Sequence, residues 1–286
     1  MNGIVIVDKP QDWTSQDVTA RLRRVFDTRR IGHGGTLDPM ATGVLPVVVG
    51  RATRGVEFFE HAEKTYEALL QPGLVTDTED VTGTVLERHP VSLTEAEVEA
   101  VLPRFRGEIM QVPPMYSALK VHGQKLCDLA RKGQTVERQP RPVTIHELHF
   151  LGFQDGCLRL RIRCSKGTYI RTLCKDMGQA LGCGGCMAQL RRVAAGDYTI
   201  DQAVPLETLL ESSDPGQYLL PVDSLFSRYP ACTLTPRQEL RCRNGNAFSV
   251  NVPAGLYRCY GASGEFLMLG SVADGVMSTV KSFFDV

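Results

Sequence analysis

One stretch of the chain constrains its fold more than any other feature of the sequence. Residues 157–164 read CLRLRIRC, so leucine or isoleucine alternates with arginine. A period of two predicts a β-strand that has one apolar face and one strongly basic face. The strand leads through SKGTY into IRTLCKDMGQALG, where the apolar residues take helical spacing and Gly182 can end the helix. Arg171 is therefore expected at a strand-to-helix junction, off the apolar face of the helix.

The other periodic segments alternate irregularly between strand and helix. GIVIVDKP and LPVVVG read as apolar strands, whereas TSQDVTARLRRVF and SLTEAEVEAVLPRF read as helices, the first with Ser15 as its cap. YEALLQPGLVTDTEDVTGTVL predicts strands around an acidic turn. From about residue 230, short strand-like pieces are separated by the turns NGN, PAG, ASGE and ADG. This order predicts strands and helices that are interspersed irregularly, followed by a small β-rich second domain.

Composition sets wider limits on the class of protein. The chain has 286 residues, 43% of them hydrophobic, and 32 basic residues balance 32 acidic ones. These numbers allow an ordinary core but give no argument from net charge for a nucleic-acid partner. The amino terminus lacks the pattern of a signal peptide, and no apolar run reaches membrane-spanning length. We therefore expect a cytoplasmic protein with no membrane partner.

Cysteine usage favours the same compartment. Nine cysteines, an odd number, are scattered through the chain, as is typical of thiols kept reduced in a cytosol. The spacing CGGC at 183–186 leaves a metal or redox site as an alternative. A zinc site needs four ligands, however, and no second Cys/His pair has the usual spacing. The sequence thus predicts no metal site.

The segment GHGGTLDPMATGVL, residues 32–45, places a histidine, three glycines and an Asp-Pro pair before an apolar run. Gly32, Gly34 and Gly35 would let the backbone bend or approach another group closely. Asp38 followed by Pro39 is typical of an N-cap with proline at the first helical position, so we expect a helix to start there. These residue types fit a structural turn and a functional loop equally well.

Basic residues cluster locally although the net charge is zero. One cluster precedes the glycine loop, another lies between 120 and 132, and the arginine strand and Arg191-Arg192 add two more. Each cluster alone is typical of a solvated face. Several of them around one acidic loop favour a phosphate-binding cleft, because phosphate contacts dominate nucleic-acid affinity. Tyr66, Tyr116 and Tyr169 lie among these segments and could either fill core space or stack on unpaired bases.

Several co-linear motifs resemble those of the TruB-type tRNA pseudouridine synthases, or tRNA pseudouridine-55 synthases. GHGGTLDPMATGVLP resembles the catalytic-loop signature, and the other family blocks appear in the expected order: VDKPQDWTSQDV, KTYEA, QVPPMYSALKVHGQKLCDLARKG, SKGTYIRTL and LRRVAAGDY. The resemblance extends to about residue 225, and the tail is weakly similar to the PUA-like RNA-binding domain. It implies the α+β pseudouridine-synthase fold, which has a mixed β-sheet with flanking helices and a central RNA-binding cleft. The implied domains are a catalytic domain over 1–229, with an RNA-gripping insertion at about 104–141, and a PUA-like domain over 230–286.

The resemblance implies that three residues carry the chemistry. Asp38 matches the catalytic aspartate, which reacts with the target uridine while the glycosidic bond breaks, the base turns and C5 joins the ribose. Attack at the sugar and elimination to a glycal both stay open. Arg171 matches the arginine that pairs with this aspartate, and a bidentate guanidinium holds a carboxylate charged and oriented. Tyr66 matches the tyrosine that stacks on the extruded uracil, and this isomerisation requires no cofactor.

The resemblance also implies a set of substrate-binding residues. Tyr169 would line the base pocket, Leu190 would close it, and His33 would wedge into the RNA loop. Lys9 belongs to a turn that either supports the active loop or contacts RNA. The expected substrate-binding residues are Lys9, His33, Lys120, Arg131, Tyr169 and Leu190.

Two positions depart from the family pattern. Threonine is common where this chain has Gly34, and tyrosine is common where it has Cys127. Glycine should add freedom to the loop before Asp38, and Cys127 removes an aromatic residue from the segment that resembles the insertion. Neither change affects Asp38, Tyr66 or Arg171, so we expect active chemistry with altered RNA contacts.

Three functions remain possible from the sequence. The first is a stand-alone synthase that acts on the T-arm loop uridine of tRNA, at position 55, without a guide RNA or an obligate protein partner. The second is a guide-RNA-dependent relative of the dyskerin type, which the short tail without long basic extensions disfavours. The third is a non-catalytic RNA chaperone, which the intact Asp38, Tyr66 and Arg171 disfavour. A two-carboxylate glycosidase would need another acid paired with Asp38, and the sequence supplies none.

Overall fold

A computed structural model describes residues 1–121 and 123–284 of the chain. Within these residues the chain forms two compact units. The first unit contains Met1–Asp38, Leu45–Glu60 and the chain from Gln202 onward; the second contains Pro39–Val44 and His61–Asp201. Strands run both parallel and antiparallel, and helices are interspersed among them, so the predicted α+β class with a mixed sheet is confirmed.

The first unit begins with the buried strand Gly3–Lys9. This strand runs parallel to Val204–Pro205 and lies beside Thr42–Val49 in the sheet. Ile31–His33 runs antiparallel to Thr42–Val49, with His33 opposite Val47. The predicted strands GIVIVDKP and LPVVVG are confirmed as Gly3–Lys9 and Thr42–Val49. Their consecutive buried side chains are typical of strands covered on both faces.

Helix Ser15–Val25 follows the first strand and buries Val18 and Leu22. Its N-cap is Thr14, whose side chain accepts a hydrogen bond from the Asp17 backbone while the Asp17 carboxylate accepts one from the Thr14 backbone. The prediction of Ser15 as the cap was therefore wrong by one residue. The reason is that Ser15 is buried and its hydroxyl contacts the backbone of Leu37.

The carboxy-terminal part of the first unit contains a separate sheet, as the short strand patterns predicted. Its strands, in spatial order, are Ala231–Thr233, Gly255–Tyr260, Phe266–Ala273, Val276–Ser282 and Phe248–Ser249. Helix Pro236–Arg243 and the sheet enclose a core around Cys259, Leu267 and Met277. The other helical segments of the unit are Gly50–Phe59, Leu206–Glu211, Pro215–Tyr218 and Val222–Phe226.

The second unit is built on an antiparallel sheet. Its strands, in spatial order, are Gly185–Ala195, Lys64–Pro72, Cys157–Cys164, Arg141–Gln154 and Gly107–Gln111. Leu158, Leu160 and Ile162 are each 0% exposed, which confirms the apolar face predicted for the arginine strand. Burial of each of these side chains stabilises the fold by about 2 kcal/mol.

One long helix and several short elements complete the second unit. Helix Ile170–Ala180 packs on strand Gly185–Ala195, and Gly182 with φ +79° follows the helix end, as predicted. The remaining elements are strands Leu74–Thr76, Val85–Arg88, Lys120–Val121, Gln124–Lys125 and Tyr198–Thr199, helices Glu95–Val101 and Leu126–Arg131, and 3₁₀ turns Leu102–Phe105 and Ile200–Gln202.

Candidate active site

The loop that carries Asp38 is held by the backbone N–H groups of two residues that precede the aspartate. The Gly34 N–H donates to the Pro46 carbonyl at 2.8 Å. The Leu37 N–H donates to Ser15 Oγ at 2.9 Å, and the Leu37 side chain is 3% exposed. Asp38 follows at once and is partly exposed. A carboxylate next to a buried anchor has a defined position while it stays accessible.

The prediction that a helix begins at Asp38 and Pro39 is wrong. Pro39 and Met40 form a turn that leads directly into strand Thr42–Val49. The run of β-branched residues in this strand favours an extended backbone over a helix. Gly43 has φ +99°, and a Cβ at this position would lie 2.2 Å from the Arg192 carbonyl oxygen, so the close approach requires glycine.

Arg171 lies in the first turn of helix Ile170–Ala180 and is 5% exposed. Its Nη1 donates to the Thr78 carbonyl at 3.2 Å and its Nη2 donates to the Tyr116 carbonyl at 2.8 Å. Its Nε lies 3.9 Å from Asp80 Oδ2. The helix that carries Arg171 and the partners of its guanidinium in two other segments therefore hold this planar group in one orientation.

The acidic turn that holds Arg171 is itself highly ordered by side-chain hydrogen bonds. Asp80, 6% exposed, accepts from Thr78 Oγ1 at 2.8 Å and from the Thr82 backbone at 2.9 Å. Glu79 accepts from Thr172 and from Lys175, both at 2.6 Å. The sequence pattern indicated this turn but gave no sign that Asp80 would contact Arg171, because 91 residues separate them (171 − 80).

The sheet register brings Tyr66 and Leu190 to the same face. Tyr66 is opposite Ile162 on one side and Arg192 on the other, and Leu190 is opposite Ala68. Residues that are paired across strands, or two apart in one strand, share a face. Tyr66 is partly exposed, whereas Leu190 is 8% exposed.

Tyr169 is the N-cap residue of helix Ile170–Ala180 and is partly exposed. The side-chain amide of Gln111 binds its backbone twice: the Tyr169 N–H donates to Gln111 Oε1 at 2.8 Å, and Gln111 Nε2 donates to the Tyr169 carbonyl at 3.0 Å. Gln111 is 1% exposed. Sequence reasoning missed this residue, since a lone glutamine at a strand end has no distinctive spacing.

The remaining predicted binding residues differ in exposure. Lys9 is 0% exposed, and its ammonium donates to the carbonyls of Pro10 and Trp13, which supports a structural role in the turn. His33 is partly exposed at the start of the loop. Lys120 is exposed on a short hairpin. Arg131 is exposed at the end of helix Leu126–Arg131, and its Nη1 lies 3.5 Å from Asp128 Oδ1.

The basic face predicted for the arginine strand is neutralised by carboxylates. Arg159 and Arg161 both pair with Glu67, and Arg163 pairs with Glu147. Arg163 also pairs with Glu63. Its guanidinium donates to the Glu147 carboxylate and lowers the pKa of that carboxyl. The arginines of this strand are therefore ion-paired, and the contribution of the strand to a phosphate-binding cleft stays a prediction.

Arg192, one of the two adjacent arginines assigned to the cleft, is 1% exposed, and its Nε donates to the Val44 carbonyl at 2.7 Å. Fully buried, it cannot contact phosphate.

The cysteines are free thiols, and seven of the nine are buried. Burial raises the pKa of Cys186 to about 11, so its reactive thiolate is scarce at neutral pH. Among the described residues, no group of three or more His, Cys, Asp or Glu could hold a metal ion. No helix in the described part of the chain is long and apolar enough to cross a membrane.

These environments predict a simple labelling pattern. Iodoacetamide at neutral pH should modify Cys127 first in the native protein, because Cys127 and Cys232 are the two partly exposed thiols and burial raises the pKa of Cys232. Cys183 and Cys186 are buried and should react after denaturation. Peptide mass mapping of native and urea-treated protein checks this, with Cys127→Ser as the control. Fast native labelling within CGGC would restore the redox interpretation of that motif.

The fold matches that of two solved chains. The chain superposes with a TM-score of 0.74 on a chain of "Structure of H/ACA RNP bound to a substrate RNA containing 2'-deoxyuridine", with 22% identity over 99% of this chain and 85% of that one. The TM-score is also 0.74 against a chain of "Crystal Structure of a Cbf5-Nop10-Gar1 Complex", with 24% identity over 99% of this chain and 84% of that one. At these identities the similarity defines the fold alone.

Sequence comparison defines the family. Residues 23–170 match the model of the TruB family pseudouridylate synthase (N terminal domain), and residues 171–227 match the tRNA pseudouridylate synthase B C-terminal domain. The chain belongs to the TruB family, which confirms the resemblance seen in its motifs. It is 43% identical over 284 residues to tRNA pseudouridine synthase B of Stutzerimonas stutzeri, covering 96% of this chain and 92% of the relative. Against tRNA pseudouridine synthase B of Dechloromonas aromatica it is 44% identical over 280 residues, covering 96% and 93%.

Proposed function

We propose that the protein converts uridine to pseudouridine in tRNA, at position 55 in the T-arm loop, as a stand-alone enzyme. The observation that carries the proposal is the family match over residues 23–227 together with Asp38, Tyr66 and Arg171 at the motif positions. In the reaction the bond from ribose C1′ to N1 breaks, the bond from C1′ to C5 forms, C5 loses a proton and N1 gains one. The product is an isomer, so atoms and electrons balance without a cofactor.

Each proposed residue has an environment that suits its role. Asp38 acts on the uridine as an accessible carboxylate on an anchored loop, and Tyr66 stacks on the base from a rigid strand. The base must leave the RNA stack to reach these groups, which favours a wedge such as His33. Tyr169 and Leu190 complete the pocket for the extruded base, while Arg171 supplies a fixed positive charge.

RNA binding is assigned to exposed positive charge. Lys120 and Arg131 lie in the proposed insertion, about 104–141, within a catalytic domain over 1–229. The sheet formed by Ala231–Thr233 and the strands that follow it belongs to the proposed PUA-like domain, 230–286. We propose a cytoplasmic location, where unmodified tRNA is found, and no membrane partner.

One assay tests the function. Purified protein incubated with unmodified tRNA alone should produce pseudouridine at position 55, mapped chemically at single-nucleotide resolution. An isolated T-arm stem-loop should also be a substrate, because such enzymes read a folded hairpin and an extruded base. Product that forms solely after a guide RNA or partner protein is added would support the dyskerin-type alternative. Binding with no product under any condition would support an RNA chaperone.

Two uncompensated arginines yield a prediction about tRNA affinity. Arg29 and Arg30 are exposed, and no carboxylate of the described chain forms an ion pair with either. With Arg51 they line a cleft of about 440 Å³. Replacing both with glutamine should weaken tRNA binding and reduce the slope of log K against log salt by up to about 2.

The chain offers a control with the same change in charge. Arg159 and Arg161 already pair with Glu67, so glutamine at both positions should change tRNA affinity less than about threefold. Filter binding over a range of salt concentrations measures the tRNA affinity of both double variants. Equal losses in the two variants would mean that net charge, and not the Arg29 and Arg30 cleft, sets the affinity.

A further inference from the structure

The 3₁₀ segment Gly50–Phe59 has two sides with different contacts. In a 3₁₀ helix, residues three apart lie above one another. Val56 and Phe59 are three apart and approach the glycines of the active loop, whereas Arg51, Arg54 and Glu57 contact the carboxy-terminal sheet and the residues after it. The segment therefore lies between the loop that carries Asp38 and the carboxy-terminal sheet.

Phe59 fills the space beside Gly34. The phenylalanine is 3% exposed, and a Cβ at position 34 would lie 2.4 Å from its Cγ and 2.8 Å from its Cβ and Cδ1. Gly34 has no positive φ, so its backbone conformation would accept any L-amino acid. Steric contact with Phe59, and not backbone freedom, is what requires glycine at this position.

The structure thus reverses the expectation that Gly34 loosens the loop. Gly34 is buried, and its N–H is held at 2.8 Å from the Pro46 carbonyl. A larger residue could not escape the ring by moving the backbone without breaking that bond. Threonine, the residue common in the family at this position, would not fit beside Phe59.

Residues on the opposite side of the segment bind the carboxy-terminal part of the chain. Arg54 Nη1 donates to the Phe284 carbonyl at 2.9 Å, and Lys281 Nζ lies 2.7 Å from Glu57 Oε1. Phe58, next to Phe59, makes an edge contact with Phe226, with ring centroids 4.9 Å apart. These contacts hold the backbone of the segment that carries Phe59.

We propose that Phe59 is a positioning residue for the loop that carries Asp38, and that Gly34 and Phe59 form a matched pair. Phe59 supports the backbone between His33 and Asp38, so it acts on the reaction through the aim of the carboxylate and does not contact the RNA. The proposal rests on the proposed function, in which Asp38 reacts with the uridine. A displacement of such a group by about 1 Å is enough to cost about 10²-fold in rate.

Three variants test the pair. Gly34→Ala adds one methyl group against Phe59 and should lower the single-turnover rate at least tenfold, with tRNA affinity within threefold. Phe59→Leu should lower the rate, though less than tenfold, because leucine keeps part of the apolar contact but fills less of the space beside Gly34. Leucine keeps the Cβ that would lie 2.8 Å from the new methyl group but can turn its Cγ and its smaller end away, so in the double variant the rate should rise at least threefold above that of Gly34→Ala.

Gly32→Ala is the matched control. It adds the same methyl group two residues earlier, where the nearest atom, Val56 Cγ2, would lie at an ordinary contact distance of 3.4 Å. The loop backbone should therefore keep its conformation in this variant. Hydrogen exchange of the peptide that contains residues 31–40 provides a readout besides activity: exchange should increase in Gly34→Ala, decrease again towards normal in the double variant and stay normal in Gly32→Ala.

The results distinguish a failure of the proposed Gly34–Phe59 pairing from a failure of the proposed function. If Gly34→Ala reacts at the normal rate, or if the double variant is as slow as Gly34→Ala, the pairing is wrong. A lower unfolding temperature with an unchanged rate per folded molecule would assign the contact a purely structural role and also refute the proposal. If the unchanged protein makes no pseudouridine, the proposed function fails, while hydrogen exchange still decides whether the two residues are matched.

Discussion

Asparagine in place of Asp38 should abolish pseudouridine formation while tRNA affinity stays within roughly tenfold, because affinity comes mainly from phosphate contacts. The substitution keeps the size of the side chain but removes the charge and the oxygen that the proposed chemistry uses. The loop should keep its conformation, since Ser15 holds the backbone of Leu37 next to it. We expect the single-turnover rate to fall at least about a thousandfold, or ~4 kcal/mol of transition-state stabilisation.

Asp27→Asn is the control for the loss of one carboxylate. Asp27 is exposed, and its φ of 45° is a conformation that asparagine also adopts, so its rate should stay normal. Mass spectrometry must show that the asparagine introduced in the Asp38→Asn variant has not deamidated back to aspartate. Turnover by a variant verified in this way would remove Asp38 from its central role.

The sequence predicted well those elements whose pattern is local. The alternation over 157–164 predicted a strand and its buried face, since each side chain alternates by geometry alone. The cap of the first helix was predicted one residue late. Thr14 and Ser15 are both good capping residues, and the choice depends on Leu37, which is 22 residues away (37 − 15).

The predictions that depended on distant partners were less successful. The arginines of Cys157–Cys164 looked like a free basic face because Glu63, Glu67 and Glu147 reach them from neighbouring strands that the sequence does not pair. Asp38-Pro39 looked like a helix start because local propensity does not include the sheet that draws Thr42–Val49 into a strand.

The candidate site shows the same limit. The motifs indicate Asp38, Tyr66 and Arg171, but not Asp80 or Gln111, whose contacts arise from the fold. The roles of the site residues and the domain boundary near 230 stay predictions.

The second large effect is expected at Arg171, where methionine keeps much of the length of the side chain but removes its charge and its donors. The carbonyls of Thr78 and Tyr116 would each lose a hydrogen bond, and the buried Asp80 carboxylate would lose a nearby positive charge. We expect the single-turnover rate to fall more than tenfold, at least about 1.4 kcal/mol, and the unfolding temperature to fall as well. Single-turnover conditions are needed because product release could otherwise hide the chemical step.

Two further variants separate the effect on chemistry from the effect on folding. Arg171→Lys keeps the charge, but one ammonium group cannot reproduce the planar fork that reaches both carbonyls, so its rate should also fall more than tenfold with a smaller loss of stability. Lys175→Met removes a positive charge that pairs with Glu79 one turn further along the same helix. Its stability should fall, yet its rate per folded molecule should stay within about threefold, because Lys175 has no part in the proposed reaction. If Lys175→Met slows the reaction as much as Arg171→Met, or if folded Arg171→Met reacts at the normal rate, Arg171 supports the fold and has no part in the chemistry.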